Sequence, residues 1–327
     1  MYPRLSDIFK DVFGFEFPVP IYSFGAMVAV GVLTAAWLLS RELNRLYEEG
    51  RLKGVRTESR EKGSKGKGRI VEASPSVLVG TITIIAIITG FVGAKVFHIL
   101  ENLGAFSRDP SAMIFSTGGF TFYGGLIVAG VALAFYLRRN QIAVADAADA
   151  FAPGLMIAYG IGRIGCHLAG DGDWGIVSDL SAKPDWLPMW LWSETYPNNI
   201  LGMDLSGQGV YPTSIYEFLL AALFFAILWG VRKHLFRGGW LFSLYLIFAG
   251  VERFLIEQIR VNTRFELLSM SVTQAEVISV LLVTLGGIGM ILRSHRRSES
   301  AVPQKGKRSN DLGAAARSTV PQSDAGS

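Results

Sequence analysis

Arg163 stands inside an apolar run, flanked by Gly160, Gly162 and Gly165, in the stretch 159–175 that reads Y-G-I-G-R-I-G-C-H-L-A-G-D-G-D-W-G. A guanidinium within a membrane helix costs about 2.5–3.5 kcal/mol on insertion scales, so it is kept where it faces protein, water or an anion. The glycines strip side chains from around it and let a second helix or a lipid headgroup approach the backbone. Gly154, Ala158 and Gly162 recur every fourth residue, the spacing of a small-residue packing stripe. The glycines therefore read as packing and Arg163 as function.

A second set lies near residue 260. Arg253, Glu257 and Arg260 differ by four and three, so they share one helix face and Arg253 can pair with Glu257. Arg260 fits a helix-terminal arginine that snorkels to the interface, whereas Arg253 lies about two turns deeper. Arg163 and Arg253 thus sit at similar depth on two helices. Guanidinium forks match phosphate oxygens, and a phospholipid headgroup is the anion most available at that depth.

Other candidates have plainer readings beside the chemical one. Ser214 and Glu217 have capping-box spacing after Pro212, which explains them at least as well as catalysis does. Asp171 and Asp173 could hold a cation or orient an arginine, but acids beside glycines are commonly turn formers. Cys166, the sole cysteine, reads as a small packing residue, and one cysteine excludes an intramolecular disulfide. The four histidines, His98 and His167 among them, lack metal-ligand spacing, so no metal is assigned. No Walker, Rossmann or G-x-S-x-G motif is present, and no cofactor is implied.

These residues must be held by membrane helices. Half of the 327 residues are hydrophobic, and they fall in blocks of about 20, the length that crosses a bilayer. The expectation is an all-α integral membrane protein with about seven spans: 21–40, 76–100, 121–137, 144–168, 212–231, 240–259 and 272–292. Residues 1–20 form an interfacial arm with Phe9, Phe13, Phe15 and Phe17. Pro153 is expected to kink the fourth span, and Asp146 and Asp149 to sit in its first turns, where the helix dipole favours anions. The membrane domain covers 21–293, with a basic loop at 41–75 whose 61–68 part is disordered, and a tryptophan-bearing outer-face segment at 169–210. Residues 294–327 form a disordered tail. The basic loop reads as a solvated topological anchor, not as a nucleic-acid site. With seven spans the basic clusters at 41–69, 138–139, 232–237 and 293–297 fall on one side. The positive-inside rule then places the N-terminus outside and the C-terminus in the cytoplasm.

Taken together, several pieces resemble the bacterial prolipoprotein diacylglyceryl transferase family. They are Tyr22 in I-Y-S-F-G, G-A-K at 93–95, Y-G-G-L-I at 123–127, G-R-I-G at 162–165, Y-P-T-S-I-Y-E at 211–217 and E-R-F-L-I-E-Q-I-R at 252–260, in order along the whole membrane part. The resemblance implies a seven-span inner-membrane enzyme whose site opens to the outer leaflet. It would move the diacylglyceryl group of phosphatidylglycerol to the lipobox cysteine thiol in the signal peptide of a preprolipoprotein, forming a thioether and releasing glycerol phosphate. Arg163 matches the signature arginine on the lipid phosphate, Arg253 the second essential arginine, and Glu257 the carboxylate that orients it. Tyr123 falls in the catalytic group, and Tyr22, Gly162, Gly165, Asp171 and Arg260 among the substrate-binding residues.

The sequence departs from the family pattern at several of these positions. Tyr123 and Tyr211 stand where the family has histidine, and Cys166 and Ala169 stand where it has asparagine. One extra residue precedes Trp174, and Asp171 or Asp173 takes the place of a glutamate. A tyrosine with a pKa near 10 is a poor general base at neutral pH. The competing reading is a non-enzymatic protein that binds or moves anionic lipids with the same arginines. An anion transporter is less well supported, since no inverted repeat is visible.

Overall fold

Residues 1–15, 18–59, 69–116, 118–267 and 270–295 are described by a computed structural model. Eleven α-helices run in order: α1 (Leu5–Phe13), α2 (Ser23–Glu48), α3 (Val79–Glu101), α4 (Leu103–Phe106), α5 (Pro110–Phe115), α6 (Phe122–Arg139), α7 (Val144–Ala169), α8 (Met189–Trp192), α9 (Thr213–Val231), α10 (Trp240–Glu257) and α11 (Gln274–Arg293). Six of the long ones, α2, α3 with its preceding 3-10 turn, α6, α7, α9 and α11, are long and apolar enough to cross a membrane. The remaining long helix, α10, has 18 residues and carries Glu252, Arg253 and Glu257, the charges that keep it out of that set. Their outward faces are apolar, with Ile84, Ile88 and Phe91 of α3 and Leu285, Ile288 and Ile291 of α11 all exposed. Surface of that kind belongs in lipid. The chain is an all-α integral membrane protein.

The central element is α7, which packs against α2, α9 and α10, while α3 pairs with α6 and α10 with α11. The small residues explain the closest of these contacts. A Cβ on Gly165 would lie 3.0 Å from Met27 Cβ, one on Gly154 3.3 Å from Ala35 Cα, and one on Gly160 2.9 Å from Ala221 Cβ. Gly162 is different: a Cβ there would meet nothing within 4 Å. The expected packing stripe therefore runs through Gly154 and Ala158, where Gly31 of α2 meets the Ala158 carbonyl, and is taken over by Gly165. Pro153 is buried within α7, which continues past it as one helix to Ala169.

Two expectations for the basic end are corrected. The first span does not stop at Ser40, because α2 runs on to Glu48. Its extension is held by Arg45, which pairs with Glu42 at 2.7 Å and Glu49 at 2.9 Å, one helical turn away in each direction. The basic loop also carries regular structure on either side of 61–68: strands β1 (Val55–Ser59) and β2 (Arg69–Ala73) form an antiparallel hairpin, Val55 opposite Ala73. Asp149 does not serve its own helix terminus. Its carboxylate accepts from the backbone N–H groups of Gly239 and Phe242, both at 2.8 Å, and so caps α10. The expected disorder at 61–68, Phe17 of the arm, and the tail from residue 296 lie outside the described residues.

At the other end, helix α1 presents Phe9 and Phe13 outward, as an interfacial arm would. The arm is tied to α7 and α2 by Tyr2 N–H to Leu168 O at 3.0 Å and Ser23 N–H to Pro3 O at 2.9 Å. The segment 169–210 is fastened to the end of α10 by the bridge Gly175–Arg260, where Ile176 N–H donates to Ile259 O at 2.8 Å. A second hairpin, β3 (Arg264–Leu267) with β4 (Met270–Thr273), leads into α11, whose start is fixed by a capping box between Thr273 and Glu276.

Candidate functional site: a guanidinium cluster on a buried carboxylate

The C-terminal ends of α7 and α10 and the N-terminal end of α9 converge on Glu217. Its side chain is 1% exposed and faces three arginines. Its Oε2 lies 2.8 Å from Arg163 Nε, and its Oε1 lies 3.5 Å from Arg260 Nη1 and 3.7 Å from Arg253 Nη1. Neither oxygen has a well-aligned hydrogen bond, so the contacts are ionic. Removing a carboxylate from such a site would leave buried charge without a partner.

A second carboxylate meets the same arginines from the loop after α7. Asp173 pairs with Arg163 Nη1 through Oδ2 and with Arg260 Nη2 through Oδ1. Thr213 Oγ1 and Ser214 Oγ donate to its backbone carbonyl at 2.7 and 2.8 Å. Ser214 is thus not a helix cap, and the capping-box reading of Ser214 and Glu217 is overturned, since no side chain caps α9. Burial alone would raise the Asp173 carboxyl, but the charges of Arg163 and Arg260 outweigh it and hold the group below the usual carboxylate range. Asp171 behaves in the opposite way: burial pushes its carboxyl up.

Arg253 belongs to a separate arm of the cluster. It pairs with Glu257 at 2.9 Å, as the spacing of four predicts. Asn262 Nδ2 donates to both oxygens of Glu257, at 2.8 and 2.9 Å. Glu257 is therefore fully engaged, and it holds Arg253 in place. Tyr123, at the start of α6, lies within electrostatic reach of both Arg253 and Glu257. The Arg163 guanidinium sits 4.8 Å from the Tyr159 ring centroid, a cation–π contact that adds to its support.

Arg163, Arg253, Glu257 and Arg260 are thus brought together, with Tyr123 within electrostatic reach of Arg253 and Glu257. Arg260 is not a snorkelling terminal residue, because two carboxylates hold it within the cluster. Of the two aspartates, Asp173 takes the arginines and Asp171 does not pair with them. Gly162 faces open space beside Arg163, whereas Gly165 is occupied in packing on α2. Tyr22 lies against the arm instead: it bridges to Arg4 and lines an open cleft of about 720 Å³ with Met1, Asp7, Lys10 and Asn198. Sequence reading missed Asn262 and the buried Glu252, and it weighed Glu217 as a cap without placing it among the site residues. For Glu217 the available signal was a carboxylate one turn inside an apolar helix.

Cys166, Asp171 and Asp173 place ligand-type atoms within 4.8 Å of one another. Asp173 already neutralises two guanidinium groups, and Arg163 Nη1 lies 4.0 Å from the Cys166 sulfur. A cation there would meet positive charge, so the group suits a metal poorly.

The fold and the cluster define an integral membrane protein that gathers three guanidinium groups on buried carboxylates where α7, α9 and α10 meet. The sequence model of the family described as prolipoprotein diacylglyceryl transferase matches residues 11–292, and the chain belongs to that family. It is similar to the phosphatidylglycerol–prolipoprotein diacylglyceryl transferase of Clostridium tetani, 29% identical over 283 residues that cover 86% of this chain and 95% of that protein. It is also similar to the enzyme named transferase 2 of Clostridium perfringens, 29% identical over 282 residues, 85% and 93% of the two chains. The Staphylococcus carnosus transferase is 26% identical over 288 residues, 88% of this chain and 90% of its own.

Proposed function

We propose that this protein transfers the diacylglyceryl group of phosphatidylglycerol to the lipobox cysteine thiol of preprolipoproteins, the first step of lipoprotein maturation. The observation that carries the reading is the arginine cluster set on Glu217 within a chain that matches the transferase family from residue 11 to 292. In the reaction the substrate thiol loses its proton and its sulfur bonds to the glyceryl carbon. The carbon–oxygen bond to phosphate breaks, and glycerol phosphate leaves with the electron pair.

Arg163 and Arg260 face the phosphate and stabilise the charge that grows on the departing oxygen. Arg253, oriented by Glu257, supplies a third guanidinium at the same depth. Gly162 leaves room for the lipid beside Arg163. Tyr123 positions the incoming groups next to Arg253.

Topology supports the same picture. The basic residues Arg138, Arg139, Arg232 and Arg237 lie at the helix ends opposite the cluster. Taking α10 as a seventh crossing, the positive-inside rule puts the N-terminus outside, the C-terminus in the cytoplasm, and the site near the outer leaflet of the bacterial inner membrane. A reporter fused after Arg237 is expected to read cytoplasm, and one near Asn198 the outer side.

The deciding assay supplies the purified protein with phosphatidylglycerol and a lipobox peptide. Thioether-linked lipopeptide is the expected product. Lipid binding without that product would make the protein a binder and reject the enzymatic reading.

A further inference from the structure

Asp173 and Glu217 each bridge Arg163 and Arg260, and they do so through different guanidinium nitrogens. The two bridges are not equivalent. Glu217 is 1% exposed and fixed in a transmembrane helix, whereas the Asp173 side chain is 22% exposed and lies on a loop. That loop is anchored by its backbone: the Asp173 carbonyl accepts from Thr213 and Ser214, and Gly175 packs so closely that a Cβ would lie 2.7 Å from Ile259 O. The Asp173 side chain can therefore rotate away while its backbone stays in place.

We infer that Asp173 is an internal, displaceable ligand: in the free protein its carboxylate occupies the seat between Arg163 and Arg260 that the substrate's phosphate takes on binding. This rests on the transferase reading above and adds a residue that tunes how the phosphate enters and leaves. A phosphodiester presents two charged oxygens to paired guanidinium groups much as a carboxylate does. It also carries one negative charge, so the exchange leaves the charge of the cluster unchanged. Without it, a phosphate would have to be added to a cluster whose three arginines are already matched by Asp173, Glu217 and Glu257.

The exchange also acts after the reaction. Glycerol phosphate is a monoester and carries about −1.5 to −2 charges at neutral pH, by analogy with a phosphorylated side chain. Two arginines would retain it more tightly than the diester. The returning Asp173 carboxylate competes for the same nitrogens and favours release. Asp173 takes no part in bond making or breaking, so it is a positioning residue.

The test measures glycerol 1-phosphate binding to the full-length protein in detergent by calorimetry, beside transfer kinetics in nanodiscs. Asp173→Asn removes the competitor but keeps the backbone bonds that anchor the loop. Its affinity for glycerol phosphate is expected to rise at least tenfold, with KM for phosphatidylglycerol and kcat both falling as release slows. Asp173→Glu keeps a competing carboxylate and is expected to stay near wild type.

A general effect of lost negative charge is separated by a cycle with Arg260→Ala. The gain from Asp173→Asn should largely vanish in that background if the two compete for Arg260, and should persist if the effect is only long-range charge. Unchanged or weaker binding by Asp173→Asn, in a wild type that transfers, overturns the displacement and leaves the transferase reading intact. A wild type that neither transfers nor binds glycerol phosphate overturns both.

Discussion

Replacing Glu217 by glutamine keeps its shape and removes one charge from the point where three arginines meet. Its oxygens lie 2.8, 3.5 and 3.7 Å from guanidinium nitrogens, and the side chain is buried. Breaking a buried ion pair by removing one partner costs about 3–5 kcal/mol. Here Arg163 and Arg260 retain Asp173, and Arg253 retains Glu257, so the lower end, about 3 kcal/mol, is the working figure. That is a large share of a typical folding stability of roughly 5–15 kcal/mol.

The loss should also be felt in catalysis, because the arginines would no longer be held in one geometry. The assay pairs thermal unfolding in detergent, followed by size-exclusion chromatography, with transfer activity per folded molecule. Both should fall, and Glu217→Asp should recover part of the activity. A Glu217→Gln protein as stable as wild type to within about 0.5 kcal/mol, the scatter of an unremarkable surface substitution, and equally active would refute the idea that this carboxylate organises the site.

Three further outcomes follow from the geometry. Gly165→Ala should lower thermal stability by about 1–3 kcal/mol through overpacking against Met27 and Phe24, while Gly162→Ala should leave the unfolding midpoint unchanged; equal losses would contradict the packing assignment. Cys166→Ala should retain turnover, since the attacking thiol belongs to the substrate, and a diacylglyceryl adduct on Cys166 in mass spectra would show otherwise. Asp173 has its carboxyl held below the ordinary range, so its contribution to stability is complete above an unfolded pKa of about 3.9 and is lost as pH falls through the lower folded value. Acid unfolding of wild type and Asp173→Asn should therefore converge as pH falls below the unfolded carboxylate range and through the depressed folded value; curves that stay equally separated at all pH values would remove Asp173 from the linkage.

The spans and the signature arginines were legible because each depends on spacing within one helix. Arg253 and Glu257 pair across one turn, and the sequence shows that turn directly. The partners of Arg163 were not legible in the same way. They come from residues 173 and 217, on a loop and another helix, and the rotation of α9 against α7 decides which of its faces meets the arginine. A three-residue spacing suggested a cap for Glu217, but the tertiary arrangement uses both Ser214 and Glu217 elsewhere. Asp171 and Asp173 could not be separated, since two residues in a glycine-rich loop point in directions that only the loop fixes. The hairpin at 55–73 was hidden among charged residues that carry no clear period of two, whereas the one at 264–273 does alternate, with Phe265, Leu267, Met270 and Val272 as its apolar positions, but in strands of only four residues each.

The most direct test of the central claim is single-turnover transfer by Arg163→Ala in nanodiscs, normalised to folded protein. If Arg163 stabilises the departing phosphate, the rate should drop by about 10²–10³, the usual consequence of losing one such contact, and Arg163→Lys should restore lipid binding more than rate. Near-normal rate per folded Arg163→Ala molecule would contradict the account.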